Sequence, residues 1–425
     1  MTDEVVENAS VPVAIPGTGT TGTNGQWMVL LAAFLGWMFD GLEMGIFPLI
    51  ANPALTSLGE KDIGAWMGTF GAVFLIGAAT GGIVFGWLGD RIGRVKAMTY
   101  SVLAYSVFTG AGYFAASASQ LAALRFVAAL GMGGEWSLGV ALVMECWPEK
   151  RRPLLAGLIG AASNVGFALI ALAAMRFKVT VDSWRWVMLA GAAPAALTLF
   201  IRLFVPESER WKKSAKRATK SPIVEVFSGA LIKHTLIGIL LAAVALIGTW
   251  GSVQWIPTWV DKKLSPGDPT AKAMAQFVCA SGAILGCLVA PLAGNVLGRR
   301  ISYFLLCLMS FGACAVLFKY MNEYNNAFLA VVFIVGCVTA AFYGWLPLYL
   351  PELFPTHVRA TGQGISYNAA RVMAAAGNLI AGYLMSAAVY NGDFAKTGTT
   401  ITLVYFAGMA LVWLAPETKG KLLPD

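Results

Sequence analysis

From Trp27 to about Ala415 the chain is a succession of long apolar stretches, broken by short segments that carry its Gly, Pro, Lys and Arg residues. A helix that crosses a bilayer needs about 20 mostly apolar residues. On that measure the pattern predicts twelve spans, at 27–50, 64–88, 97–116, 119–147, 154–177, 184–205, 235–260, 271–293, 301–321, 326–350, 360–388 and 398–415. The expected fold class is an all-α membrane protein of twelve transmembrane helices in two six-helix bundles, 27–205 and 235–415.

Between the bundles, residues 206–234 are polar and basic, with Arg210, Lys212, Lys213, Lys216, Arg217, Lys220 and Lys233, and read as a linker. Residues 1–26 read as a disordered tail and 416–425 as a second one. With both termini on the cytoplasmic side, Lys and Arg gather in the inner loops, as the positive-inside rule requires. The two halves also echo each other. GWLGDRIGR (Gly86 to Arg94) follows the second span and AGNVLGRR (Ala293 to Arg300) the eighth, while Pro206-Glu207-Ser208 closes the sixth and Pro416-Glu417-Thr418 the twelfth. Such internal repetition is typical of carriers built from related halves.

Composition narrows the class. Hydrophobic residues make up 58% of the chain and charged ones 12%, about half the charged share of an ordinary soluble protein. The formal net charge of +8 comes from residues set between apolar spans, with no aromatic-interleaved basic stripe, so a nucleic-acid partner is not expected. Asp3, Glu4 and Glu7 precede any Lys or Arg, unlike the start of a signal peptide. The Asn8-Ala9-Ser10 sequon would face the cytosol and stay unmodified. Six cysteines without metal-ligand spacing, and two histidines (His234, His357) at predicted helix ends, leave no metal site, cofactor or enzyme constellation to assemble.

The run Gly86-Trp87-Leu88-Gly89-Asp90-Arg91-Ile92-Gly93-Arg94-Val95-Lys96 resembles the signature between the second and third spans of the major facilitator superfamily. Within it, LRFVAALGMGGEW (Leu124 to Trp136), ECWPEKRR (Glu145 to Arg152), PESERW (Pro206 to Trp211) and PELFPTHVRATGQGISYNAAR (Pro351 to Arg371) are most similar to the sialate:proton symporters and neighbouring aromatic acid:proton symporters. The resemblance implies alternating access, coupled to protons, for a small organic acid anion. It also places the chain in a bacterial inner membrane, as a monomer with lipid, substrate and protons as partners. Asn295 stands where the first half has Asp90, and Glu43 where relatives often have a second aspartate. A single Gln254 in the seventh span, and no Gly-Pro motif in the fifth, set it apart from sugar porters and antiporters. A sugar acid, a neutral sugar or an aromatic acid remain alternative cargoes, and a non-transporting sensor an alternative role.

Ionised side chains inside a bilayer are costly, so those present are functional candidates. Asp40 and Glu43 lie three apart on one helix face, where two carboxylates can share a proton; alternatively, one of them neutralises Arg125. Arg371 lies about 16 Å into the eleventh span, near the midplane, where a guanidinium suits a carboxylate. Its own protein partner would otherwise be Glu135, which is also the next proton-site candidate. Tyr367 and Asn368, one turn away, and Gln254, Trp255, Tyr343 and Trp136 are candidate substrate contacts, Arg125 an additional one. Asp90 is expected to hold the N-terminus of the eleventh span near Arg94 and so link the halves when the inner side is closed. Glu145 with Arg359, and Glu207 and Glu417 with Arg94 or Arg152, are candidates for the same gating network. Small residues around Gly77, Gly81 and Gly160 predict close helix packing.

Overall fold

The computed structural model describes residues 23–61, 63–177, 179–215, 222–229, 231–266, 268–385 and 389–424; the expected first tail, up to residue 22, lies outside them. Twelve crossings follow in chain order: α1 (Thr23–Ser57), α2 (Ile63–Ile92), α3 (Arg94–Ala111), α4 (Ala118–Cys146), α5 (Arg152–Arg176) and α6 (Trp184–Ala190 continued by Ala195–Phe204). The second half comprises α7 (Leu231–Gly251), α8 (Pro269–Leu297), α9 (Arg299–Tyr320), α10 (Asn326–Ala340 continued by Phe342–Tyr349), α11 (Arg359–Leu384) and α12 (Phe394–Thr402 continued by Val404–Leu411). Two short linker helices, Glu209–Ala215 and Pro222–Val226, lie between α6 and α7. Their end of the bundle is called the linker face here.

The helices start where the sequence supplies an acceptor for their first N–H groups. On the face opposite the linker these acceptors are local: Ser117 caps α4, Asp268 α8, Asn325 α10 and Asp393 α12. On the linker face they come from far along the chain. Glu207 accepts from the backbone N–H of Arg94 and of Val95, both at 3.1 Å, and so caps α3. Glu417 repeats the arrangement on α9, accepting from Arg299 N at 3.0 Å and Arg300 N at 3.1 Å. The glycine before each helix, Gly93 at φ 107° and Gly298 at φ 92°, adopts a conformation that side chains with a Cβ rarely reach. Glu207 and Glu417 were expected to tie the two halves together. Instead each closes its own half, because its oxygens are taken up by backbone N–H groups.

The halves meet along α2 against α11 and α5 against α8 and α10. Glycine permits the approach: a Cβ on Gly157 would lie 2.9 Å from the Cys287 carbonyl oxygen, and one on Gly364 2.6 Å from that of Gly82. Within the first half, Gly77 packs as closely on α4, 2.7 Å from the Phe126 carbonyl oxygen by the same measure.

Two expected spans are broken. The sixth turns over residues 191–194, and the seventh ends at Gly251 and continues as a turn at Val253–Trp255 and a short helix at Ile256–Trp259. Pro194 and Pro257 lack the N–H a continuous helix requires, and the Ser252 hydroxyl donates to the Gly248 carbonyl at 2.6 Å just before the second break. Nine helical segments among the described residues are long and apolar enough to cross a membrane; those of α3, α6 and α11 fall short. α6 is broken at residues 191–194, and α11 is too polar, which suits a helix that contributes Tyr367 and Arg371 to the cavity between the halves.

Candidate functional site

Four charges close the linker face between the halves. Arg94 Nη1 donates to Asp90 at 2.6 Å and to the Gly89 carbonyl at 2.7 Å, and its Nη2 donates to Glu145 at 3.1 Å and to the Thr356 carbonyl at 2.8 Å. Arg359, from the second half, donates to the same Glu145 oxygen at 3.2 Å. Asp90 in turn accepts from the backbone N–H of Ala360 at 3.3 Å and Thr361 at 2.7 Å, the first turn of α11. All four side chains are buried, and two guanidiniums balance two carboxylates. The second half keeps only part of this pattern. Arg299 forms a two-pronged pair with Glu352 at 3.0 and 2.7 Å, whereas Asn295 is exposed and caps no helix among the described residues.

Beyond this closed end lies a cavity of about 830 Å³, its open mouth included, between the two halves. Its lining runs from mid-bilayer residues such as Trp37, Asn164 and Arg371 to Pro257 and Gln276 near the opposite face. Arg371 is the thirteenth residue of α11, about 18 Å from the linker end of that helix. It is 8% exposed and donates to Asn368 Oδ1 at 3.1 Å, with its guanidinium 5.0 Å from the centre of the Tyr367 ring. Among the described residues no carboxylate lies within ion-pair distance of it. Glu135, the alternative partner named from sequence, is engaged elsewhere.

The buried acids of the first half sort into two pairs. Glu43 forms an ion pair with Arg125, which also lies over the Phe74 ring at 4.8 Å. Asp40 faces Glu135, each 1% exposed and neither oxygen pair with a donor of its own. Two neighbouring buried carboxylates without donors favour holding a proton between them, because neither can donate when ionised. Of the two readings of Asp40 and Glu43, the neutralisation of Arg125 by one of them is what the structure shows, with Glu43 in that role, while Asp40 faces Glu135. Tyr105, Ser106 and Thr109 on α3 are also buried polar residues of this half, and nothing in the sequence pattern singles them out.

Neither Asp40 nor Glu135 lines the cavity. The acids lie behind an aromatic wall: Trp37, tilted against Trp136, which stacks on Tyr367 of the other half at 4.2 Å and 19°. Of the other expected contacts, Gln254 and Tyr343 line the cavity. Asn368 does not, but holds Arg371. Trp255 faces a second, smaller cleft and donates to Asn378 at 3.1 Å, which removes it from the substrate contacts. Arg125 and Trp136 also lie away from the lining. Trp250, an aromatic of the seventh span, also lines the cavity, whereas Asn164 and Gln276 were missed as lining residues; only their place on inward-facing helix sides marks them, and a single sequence does not reveal that.

Twelve membrane helices in two related halves, a central cavity between them, and charges that close one end define a membrane carrier in the class of secondary transporters. Residues 29–378 match the sequence profile of the Major Facilitator Superfamily, and the chain belongs to that family. It is 28% identical over 381 residues to a cis,cis-muconate transport protein of Acinetobacter baylyi, covering 86% of this chain and 89% of that one. It is 26% identical over 400 residues to the sialic acid transporter NanX of Escherichia coli, covering 93% and 95%. Among solved structures it superposes on the proton:xylose symporter XylE with a TM-score of 0.78 at 16% identity, covering 94% and 98% of the two chains. At that identity the likeness establishes the fold alone. The protein is an integral membrane transporter and not an enzyme.

Proposed function

We propose that the protein is a proton-coupled symporter that takes an organic acid anion across a bacterial inner membrane by alternating access, with the linker face cytoplasmic. The observation that carries this reading is Arg371: a buried guanidinium facing the central cavity, held by Asn368 and Tyr367, with no carboxylate within ion-pair distance among the described residues. It cannot discharge itself by losing its proton, and its planar fork matches a carboxylate. Relatives named for muconate and sialic acid agree with an anionic cargo. Asp40 and Glu135 supply the proton site, placed behind the aromatic wall that contacts the substrate region. With Asp90, Arg94, Glu145 and Arg359 joined, the cavity faces the opposite, periplasmic side. Inward opening breaks that quartet, and the halves rock around the midplane.

The test is uptake by proteoliposomes of a panel of labelled monocarboxylates, dicarboxylates, sugar acids and neutral sugars, with the wild type and Arg371→Lys. Uptake is expected for acids only, and direct binding should fall severely in the Lys variant although its charge is kept. Equal binding in Arg371→Lys, or uptake of neutral sugars, contradicts the reading.

A further inference from the structure

Arg371 is the single charged side chain among the described residues that line the cavity. The remaining polar groups there are neutral, and three of them are carboxamides. Asn164 is the thirteenth residue of α5, as Arg371 is of α11, so both lie about 18 Å from the linker-face ends of their helices, on opposite sides of the boundary between the halves. Its amide makes only long contacts, 3.4 Å to the Gly160 carbonyl and 3.7 Å to Cys287 Sγ. Gln254, in the turn beyond α7, and Gln276, two turns into α8, lie nearer the mouth. Among the described residues neither carboxamide has a protein partner. Between these polar groups the walls are aromatic: Trp37, Phe167, Trp250 and Tyr343.

A carboxylate bound at Arg371 gains a full counter-charge. A second carboxylate at the other end of the same molecule would meet only amide dipoles as it sheds part of its hydration, and a partly desolvated charge without a counter-charge is disfavoured. A hydroxyl, carbonyl or amide at that end meets groups that both donate and accept.

Building on Arg371 as the anion-binding group, we infer that the cavity selects carboxylates by charge number: it takes a monoanion with a flat apolar body and a neutral polar far end, read by Asn164, Gln254 and Gln276, and it rejects dianions. Both halves thus contact one substrate: Arg371, Gln254 and Gln276 come from the second half and Asn164 from the first.

Three probes that differ at one substituent test this: benzoate, its 4-carboxylate terephthalate, and the corresponding monoamide 4-carbamoylbenzoate. Binding is measured at pH 7.5 on the purified full-length protein through quenching of its tryptophan fluorescence. Benzoate and 4-carbamoylbenzoate are expected to bind within about tenfold of each other and terephthalate roughly 30-fold or more weakly, the size of one unmatched charge-assisted hydrogen bond. Gln254 is exposed, so Gln254→Lys is tolerated by the fold and should bring terephthalate up to or above benzoate. Terephthalate binding as well as its monoamide overturns the charge filter while leaving Arg371 as the anion site. Terephthalate remaining weak in Gln254→Lys overturns the role given to Gln254. If none of the three probes binds, the anion site itself fails, and the filter with it.

Discussion

Asp90→Asn removes one charge from the buried quartet at the linker face and should shift the protein toward the inward-open state. In the wild type two guanidiniums face two carboxylates, and Asp90 holds two main-chain N–H groups of α11 across the boundary between the halves. Asp90 takes the two N–H groups on different oxygens, whereas asparagine has a single, neutral acceptor oxygen and an NH2 that cannot accept, and a charge-assisted bond is worth about 1 kcal/mol more than a neutral one. One bond made neutral, the other lost, and an Arg94 left with Glu145 as its paired carboxylate give about 2–3 kcal/mol against the closed form, at the lower edge of the roughly 3–5 kcal/mol for breaking a buried charge pair. At 1.4 kcal/mol per factor of ten that is a shift of roughly 30- to 150-fold. Spin labels at Lys150 and Val296, exposed on either side of the boundary at this face, report the separation directly. In the variant the distance distribution should move to longer values, with slower transport and preserved substrate binding. A distribution that matches wild type refutes the latch.

Asp40→Asn and Glu135→Gln should each abolish accumulation against a gradient while leaving exchange of labelled for unlabelled substrate intact, since exchange never releases the proton; a variant pair that still concentrates substrate on an imposed pH gradient places the proton site elsewhere. Glu43→Gln leaves Arg125 buried without its carboxylate and should cost about 3–5 kcal/mol of stability, seen as a lower melting temperature in detergent; Glu43→Gln combined with Arg125→Met should recover most of the loss, and no recovery contradicts the pairing. Burial works against ionisation of Glu417, but three backbone N–H groups, of Arg299, Arg300 and Lys419, hold its carboxyl below the usual range. Its stabilisation is therefore complete at neutral pH, above the value of an unfolded glutamate, and is lost as pH falls below about 4.5. Glu417→Gln should flatten that part of the stability profile, and an unchanged acid limb in the variant assigns the loss to other groups.

The features legible in the sequence are those carried by contiguous residues. Twelve apolar stretches and the repeated loop motif gave the crossings and their pseudo-symmetry, and Asp90 was readable because its motif places it one turn before a helix end. The Glu145–Arg359 pair and the place of Asp90 at α11 were readable, but which of the first-half acids meets Arg125 was not. Asp40 and Glu43 sit about 4.5 Å apart along α1, whereas Arg125 and Glu135 are about 15 Å apart along α4; which acid meets which partner depends on how those two helices lie against each other. Glu207 and Glu417 misled for a related reason. Sequence shows a carboxylate and nearby arginines, but the left-handed turns at Gly93 and Gly298 present backbone N–H groups instead. The cavity wall was legible only in part, since Asn164 and Gln276 look like any polar residue in an apolar span until α5 and α8 are seen to face the same space.

Joint movement of proton and acid is the claim on which the rest depends, and the lumen pH of proteoliposomes measures it most directly. With a pH-sensitive dye trapped inside and no imposed gradient, benzoate added outside should acidify the lumen faster with the wild-type protein than with Arg371→Lys, whose liposomes account for passive entry of the acid. The excess should disappear in Glu135→Gln, even though that variant still exchanges labelled benzoate. Acidification equal in the wild type and both variants, alongside protein-dependent benzoate entry, would show that the anion crosses without its proton and would contradict the account.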